Sequence, residues 1–343
     1  MPVPLHPKTK GQGFFMDLSI CIKSAKRNLL IVLLAIAASV FVNTIAHAQT
    51  PAQWEEMKGD INLFLANDLG RNGYYDQKPI AAMMGEMAET VGPEAVLALG
   101  DVHHFEGVQS TSDPLWMTNY ELIYTHPELM IKWLPVLGNH EYRGNTQAVI
   151  DYSKVSRRWM MEGRYYTKVF SDDEGKVSVR IVFVDTTPMI GRYHNSPTYP
   201  DVDGQDIEAQ LSWIDTTLGN AKEDWVIVVG HHPVYAQTSK DIIEQQNMQQ
   251  RLLPILAKYR KKVAMYVCGH IHNFQHIRRG TDGIDFVVNS AGALARKVEP
   301  FEGTIFCSPE PGFSVLTATA EKLSLNMVDK TGTVIHKVER IKK

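Results

Sequence analysis

Six short, nearly continuous apolar runs constrain this chain more than any other feature: INLFLA (61–66), AVLALG (95–100), WLPVLG (133–138), VRIVFV (179–184), WVIVVG (225–230) and VAMYVCG (263–269). Strands with one wet face alternate apolar and polar residues, whereas continuous runs of this length suit strands covered on both faces. Helical patterns lie between several of them, among them IAAMMGEMAETV (80–91) and DIEAQLSWIDTTLGNA (206–221). That alternation predicts an α/β layered fold. The end of the chain, 313–341, reads instead as successive strands, with Asp329-Lys330-Thr331-Gly332 as a turn. No internal repeat or linker divides the sequence, so one domain is expected over 49–343.

Residues 1–48 stand apart. Lys23, Lys26 and Arg27 precede the apolar run LLIVLLAIAASVFV (29–42), and Ala46-His47-Ala48 comes after it. A basic start, a short apolar core and an A-x-A site read as a secretory signal cut near Ala48. The alternative is a membrane anchor, but the run is short of the ~20 residues a spanning helix needs. Met16 is an alternative start for such a signal. Export is therefore expected, to a periplasm or beyond, with no stable membrane insertion after cleavage. The remaining chain holds 30 basic and 37 acidic residues, a net charge of −7, which argues against a nucleic-acid partner. Cys268 and Cys307 remain after cleavage, and either pair or stay as free thiols.

The residues just past the runs are unusual. The first run leads into Asn67-Asp68-Leu69-Gly70, and the second into Asp101-Val102-His103-His104. After the third comes Asn139-His140-Glu141, after the fifth His231-His232-Pro233, and after the sixth His270-Ile271-His272. Open α/β sheets form their sites at the carboxyl ends of strands. One Gly-Asp turn or one exposed histidine signifies little. Together, five strand ends gather carboxylates that repel one another unless a cation neutralises them. Carboxylate, imidazole and amide oxygen form a donor set for first-row metals, and so many candidates suit two ions better than one.

The ordered set DLG, GDVHH, GNHE, GHHP, GHIH resembles the calcineurin-like metallophosphoesterase superfamily, and most of all the small purple acid phosphatases of the tartrate-resistant type. YSKVSRRW (152–159), LSWIDTTL (211–218) and GHIHNFQ (269–275) are similar to that branch as well. The resemblance covers roughly 58–335. It implies a four-layer αββα sandwich, with two mixed β-sheets flanked by helices. It also implies that Asp68, Asp101, residue 104 and His272 hold one metal. Asp101, Asn139, His231 and His270 would hold the other, with Asp101 bridging. The family's tyrosine, which gives the purple colour, is replaced here by His104, and Gly70 fills the slot where other branches place a histidine. His104 is the expected substitute ligand, His103 the alternative, and no purple band is expected. Fe, Zn and Mn remain open as the metals.

The same resemblance makes His140 the acid that protonates the leaving group. His232, like Asn139, would touch substrate. Glu141 and Asn273 read as supporting groups, Asp185 as a structural carboxylate, and His276 as an ordinary strand residue. The implied activity is acid phosphatase-like hydrolysis of phosphate monoesters by hydroxide generated on the metal pair. Small phosphorylated molecules or phosphoproteins are the expected substrates. A phosphodiesterase or nucleotidase with the same metals is the close alternative. A phosphate- or metal-binding protein without turnover is the alternative of another class. A loop over the site, shorter than in mammalian relatives, is expected within 293–313.

Overall fold

Two β-sheets pack face to face, and helices cover their outer faces. The computed structural model describes residues 52–240, 242–279, 283–289 and 292–342. The expected signal and its cleavage site lie outside the described residues. Pro51–Lys343 forms one compact unit. Among the described residues, no helix is long and apolar enough to cross a membrane.

The first sheet is built around β1 (Ile61–Ala66), β2 (Ala95–Ala98) and β3 (Lys132–Pro135), which run parallel. Its antiparallel half is β11 (Gly312–Ala318), β12 (Lys322–Asp329) and β13 (Val334–Ile341), giving the order β13-β12-β11-β1-β2-β3. The second sheet has a parallel centre of β5 (Ser178–Phe183), β6 (Trp225–Val229), β7 (Val263–Cys268) and β9 (Asp285–Asn289). Antiparallel partners β4 (Tyr166–Ser171), β8 (Phe274–Ile277) and β10 (Thr304–Ser308) complete the order β10-β8-β9-β7-β6-β5-β4. The architecture is the four-layer αββα sandwich.

The burial pattern explains why the runs are apolar throughout. Every residue of β1, β2 and β6 is buried, since each strand has the opposing sheet on one side and helices on the other. Leu63, Leu65, Val96, Leu97, Ile227 and Val228 lie in one continuous core. The helix Gln77–Val91 buries Ile80, Met84, Met87, Ala88 and Val91. The helix Ile207–Asn220 starts at Asp206, whose side chain accepts from the Ala209 N–H at 2.9 Å. The edges β4 and β13 show mixed burial, as edge strands do. The segment 293–313 is more than a loop: it contains β10, paired with β8. Cys268 and Cys307 are free thiols, which excludes the pairing considered from the sequence.

Candidate metal centre

The carboxyl ends of β1, β2, β3, β6 and β7 meet at one rim, and backbone hydrogen bonds lock their loops together. The Asp68 N–H donates to Gly100 O (3.0 Å), the Gly70 N–H to Asp101 O (3.3 Å), and the Gly269 N–H to His231 O (2.9 Å). Asp68, Asp101, His270 and His272 all sit at positive φ, between 52° and 74°. Non-glycine residues held there carry a local cost of order 1–3 kcal/mol each, which the surrounding structure must impose.

Asp101 is the hub. Its Oδ2 lies 3.1 Å from His231 Nε2, 3.4 Å from His104 Nε2 and 3.9 Å from His140 Nε2. Its Oδ1 accepts the His140 N–H at 2.9 Å. Asp68 Oδ1 lies 3.3 Å from His272 Nε2. Asp68 Oδ2 accepts the His270 N–H (2.9 Å) and the Asn67 side-chain amide (2.7 Å). Ligand atoms of Asp68, His104 and His272 lie within 4.8 Å of one another, as do those of Asp68, Asp101 and His231. Burial opposes ionisation of both aspartates, yet the imidazoles outweigh it and hold both carboxyls below their usual range. Burial likewise opposes the charge on His231, but the Asp101 carboxylate raises it to about 9. Burial lowers His272 to about 3. The cluster thus keeps its carboxylates ionised and most of its imidazoles neutral, as metal donors must be.

Outer hydrogen bonds orient the rings. His231 Nδ1 lies 2.9 Å from Leu99 O, and His272 Nδ1 lies 2.9 Å from Leu294 O. With a proton on each Nδ1, His272 turns an Nε2 lone pair into the cluster, and His231 does so on losing the Nε2 proton it shares with Asp101. His270 is mounted the other way round. Its Nε2 lies 2.8 Å from Glu244 Oε2, and its Nδ1 faces His231 Nε2 at 3.3 Å. Both ring nitrogens of His104 and the Asn139 Oδ1 are buried without a hydrogen-bond partner. Orphaned acceptors beside two carboxylates are what a cation site presents, and the donor set fits first-row metals. His103, by contrast, points away. Its ring stands edge-on to Trp116 at 4.6 Å, with Nδ1 3.5 Å from the Asn119 amide.

Gly70 explains why this chain places no histidine in its first motif. A Cβ there would land on the Val102 carbonyl oxygen and 2.6 Å from the His103 Cα. In the turn after β7 the left-handed residues are His270 and His272, and Gly269 is needed for space: a Cβ there would meet Asn67 Nδ2 at 2.7 Å and Asp68 Oδ2 at 2.8 Å.

His140 Nδ1 lies 2.5 Å from Phe105 O, which leaves Nε2 facing the cluster; burial lowers this histidine to about 4. His232 does not reach a substrate. It is fully buried behind His270, with Nδ1 2.9 Å from Thr186 Oγ1 and Nε2 3.2 Å from Tyr193 OH. Glu141 supports the rim as expected, accepting N–H groups from Asp101 (2.8 Å), Gly138 (2.7 Å) and His103 (3.1 Å). Asp185 bonds Tyr142 OH, outside the cluster. Among the residues missed in the sequence that line the cavity of about 330 Å³ over the cluster, three carry charge close to it: Lys240, Glu244 and Arg296. Lys240 Nζ lies 2.7 Å from His270 O. None of the three sits at a strand end, so strand-end reasoning had no signal for them.

A model of the calcineurin-like phosphoesterase family matches residues 60–274. Purple acid phosphatase 4 of Arabidopsis thaliana is 29% identical over 308 residues, 86% of each chain. Tartrate-resistant acid phosphatase type 5 of Sus scrofa is 30% identical over 273 residues, 76% of this chain and 79% of that one. Among solved structures, GAP50, described as the anchor in the inner membrane complex of Plasmodium, matches with a TM-score of 0.70 at 20% identity, covering 82% of this chain and 89% of its own. Purple acid phosphatase PPD1 from yellow lupin seeds matches at 0.56 and 14% identity, over 81% of this chain and 53% of its own. These two likenesses bear on the fold alone. With the family model spanning the parallel strands β1 to β3 and β5 to β7 and the candidate cluster, the chain belongs to the calcineurin-like phosphoesterase family.

Proposed function

We propose that this protein is an acid phosphatase-like enzyme that hydrolyses phosphate monoesters at a two-metal site. The observation that carries the reading is the convergence on Asp101 of imidazole nitrogens from His104, His140 and His231, beside the orphaned Asn139 oxygen. Asp68, Asp101, His104 and His272 would hold one ion, and Asp101, Asn139, His231 and His270 the other. Bound there, two cations neutralise charge on a phosphoryl group and acidify a water. The rest is the work of this chain. In its imidazolium form, which burial confines to acid pH, His140 gives its Nε2 proton to the leaving oxygen and is left as the neutral ring with its Nδ1 proton on Phe105 O. Lys240 and Arg296 face the cavity and attract the phosphate. Iron, zinc or manganese suits the nitrogen- and oxygen-donor set. The apolar run at 29–42 and Ala48 support export with cleavage before the 49–343 domain.

Metal analysis of the purified protein, run with assays on a monoester and its matching diester, tests the proposal. Two ions per chain and faster monoester turnover are expected. Faster diester turnover would replace the substrate class, and two bound ions with no turnover on any phosphoester would overturn the enzyme. His140→Ala should keep both ions and lose about 10²–10⁴ in kcat.

A further inference from the structure

Beside His104, a second cavity of about 440 Å³ is lined by Arg71, Asn72, Tyr74, Tyr75, His104 and Phe105, the last of which it shares with the cavity over the cluster. Its rings stand unusually far into solvent: Tyr74 is 73% exposed, Tyr75 64% and Phe105 67%. They grow from the same two loops that carry Asp68, Asp101 and His104. The Tyr74–Tyr75 loop is held firmly. Asn72 N–H donates to Asn119 Oδ1 (2.7 Å), Gly73 N–H to Gln77 Oε1 (2.7 Å), and Asp76 N–H to Ala293 O (3.0 Å). Tyr75 is kept at φ 56°, a costly conformation for an aromatic residue. Arg71 is buried, and its guanidinium lies 5.0 Å from the Phe105 ring centroid, which steadies that ring.

Phe105 ties this hollow to one side of the reaction. Its carbonyl oxygen holds His140 Nδ1, and its side chain forms part of the hollow wall. The group that protonates the leaving oxygen and the aromatic wall are therefore adjacent. Four cations, Arg143, Arg192, Lys240 and Arg296, line the other cavity together with His140 and the shared Phe105, against Arg71 alone in the hollow, so phosphate oxygens belong in the former. The alcohol part of an ester lying between the two would extend into the rings.

We propose that this hollow is a leaving-group pocket for a planar aromatic ring, and that the protein prefers phosphate monoesters of aromatic alcohols whose ring lies within two bonds of the ester oxygen. This rests on the phosphatase reading of the metal site. Offset or edge-on contacts with Tyr74, Tyr75 and Phe105 favour a flat ring over an alkyl group of similar polarity.

Benzyl phosphate and ethyl phosphate test it, because their leaving alkoxides are of comparable basicity. In the metal-loaded protein, kcat/KM for benzyl phosphate should exceed that for ethyl phosphate about tenfold. In the double variant Tyr74→Ala/Tyr75→Ala the ratio should fall to about twofold, and both side chains are exposed enough for the fold to tolerate it. Benzylphosphonate should likewise inhibit the wild type more tightly than ethylphosphonate, with the advantage lost in the variant. A ratio near one in the wild type, or one unchanged by the double substitution, overturns the pocket. Should neither ester turn over while two ions are bound, the phosphatase reading fails instead. Calorimetry with the two phosphonates then still decides the pocket: equal affinities overturn it, and tighter benzylphosphonate binding that the variant loses upholds it.

Discussion

His104 brings two ring nitrogens into the interior and leaves both without a hydrogen bond, although a buried orphan typically costs about 1–3 kcal/mol. A bound cation would remove that cost, so His104→Ala should lower metal stoichiometry from two ions toward one, by mass spectrometry of the purified protein. Affinity for the affected ion should fall by at least about a hundredfold, since even supporting groups cost ten- to a hundredfold. Full metal content in that variant would move the ligand role elsewhere. His104→Tyr should give iron-loaded protein a visible charge-transfer band that the wild type lacks. Glu141 matters for the fold rather than for the ions. It satisfies three backbone N–H groups at the rim, while burial and the neighbouring Asp101 push it up to about 7. Glu141→Ala leaves three buried donors unpaired and should destabilise the fold by about 3 kcal/mol or more, read as a lower urea midpoint.

At the level of elements, the site exists because five loops approach more closely than side chains normally allow. The loop after β7 passes so near Asn67 and Asp68 that Gly269 has no room for a methyl group. Gly269→Ala should therefore lose metal binding through displacement of Asp68, while far-UV circular dichroism stays near wild type; a variant with normal metal content would show that the loops can separate. This crowding is one thing the sequence hid. It signalled strands through continuous apolar runs, so β1, β2, β3, β5, β6 and β7 were legible to within three residues at either end. β4, β8, β9 and β10 were not, being short or mixed with Lys168, Gln275 and His276. Candidate ligands were legible because a strand end fixes where the next residues go. His232 misled because adjacency to His231 says nothing about which way its ring turns. Lys240 and Glu244 arrive from a loop and a helix, where position in the chain carries no such geometry.

Across the whole molecule, the two sheets are joined by a largely buried polar contact as well as by the apolar core. β13 of the first sheet supplies His336 and Arg340, and β8 and β9 of the second, with the residue just past β8, supply His276, Arg278 and Asp285. His336 Nε2 lies 2.9 Å from His276 Nδ1, and His276 Nε2 lies 2.9 Å from Asp285 Oδ1. Arg340 and Arg278 both pair with Asp285, at 2.6 Å, and Phe306 of β10 stacks on His336 at 4.4 Å. So His276, expected to be an ordinary strand residue, sits in a strand but is also one of the links between the sheets. Burial, with His276 second, lowers His336 to about 4, against 6.5 for the free side chain. A folded-state value below the unfolded one means that the unfolded chain binds the proton more readily. The stability tied to neutral His336 is then fully present above pH 6.5 and is lost as pH falls through about 4. The urea midpoint should drop between pH 6.5 and pH 4, and the drop should be smaller in His336→Gln, which keeps a polar partner for His276 but does not titrate. An equal drop in both proteins would place the acid sensitivity elsewhere and leave this contact a neutral strut between the sheets.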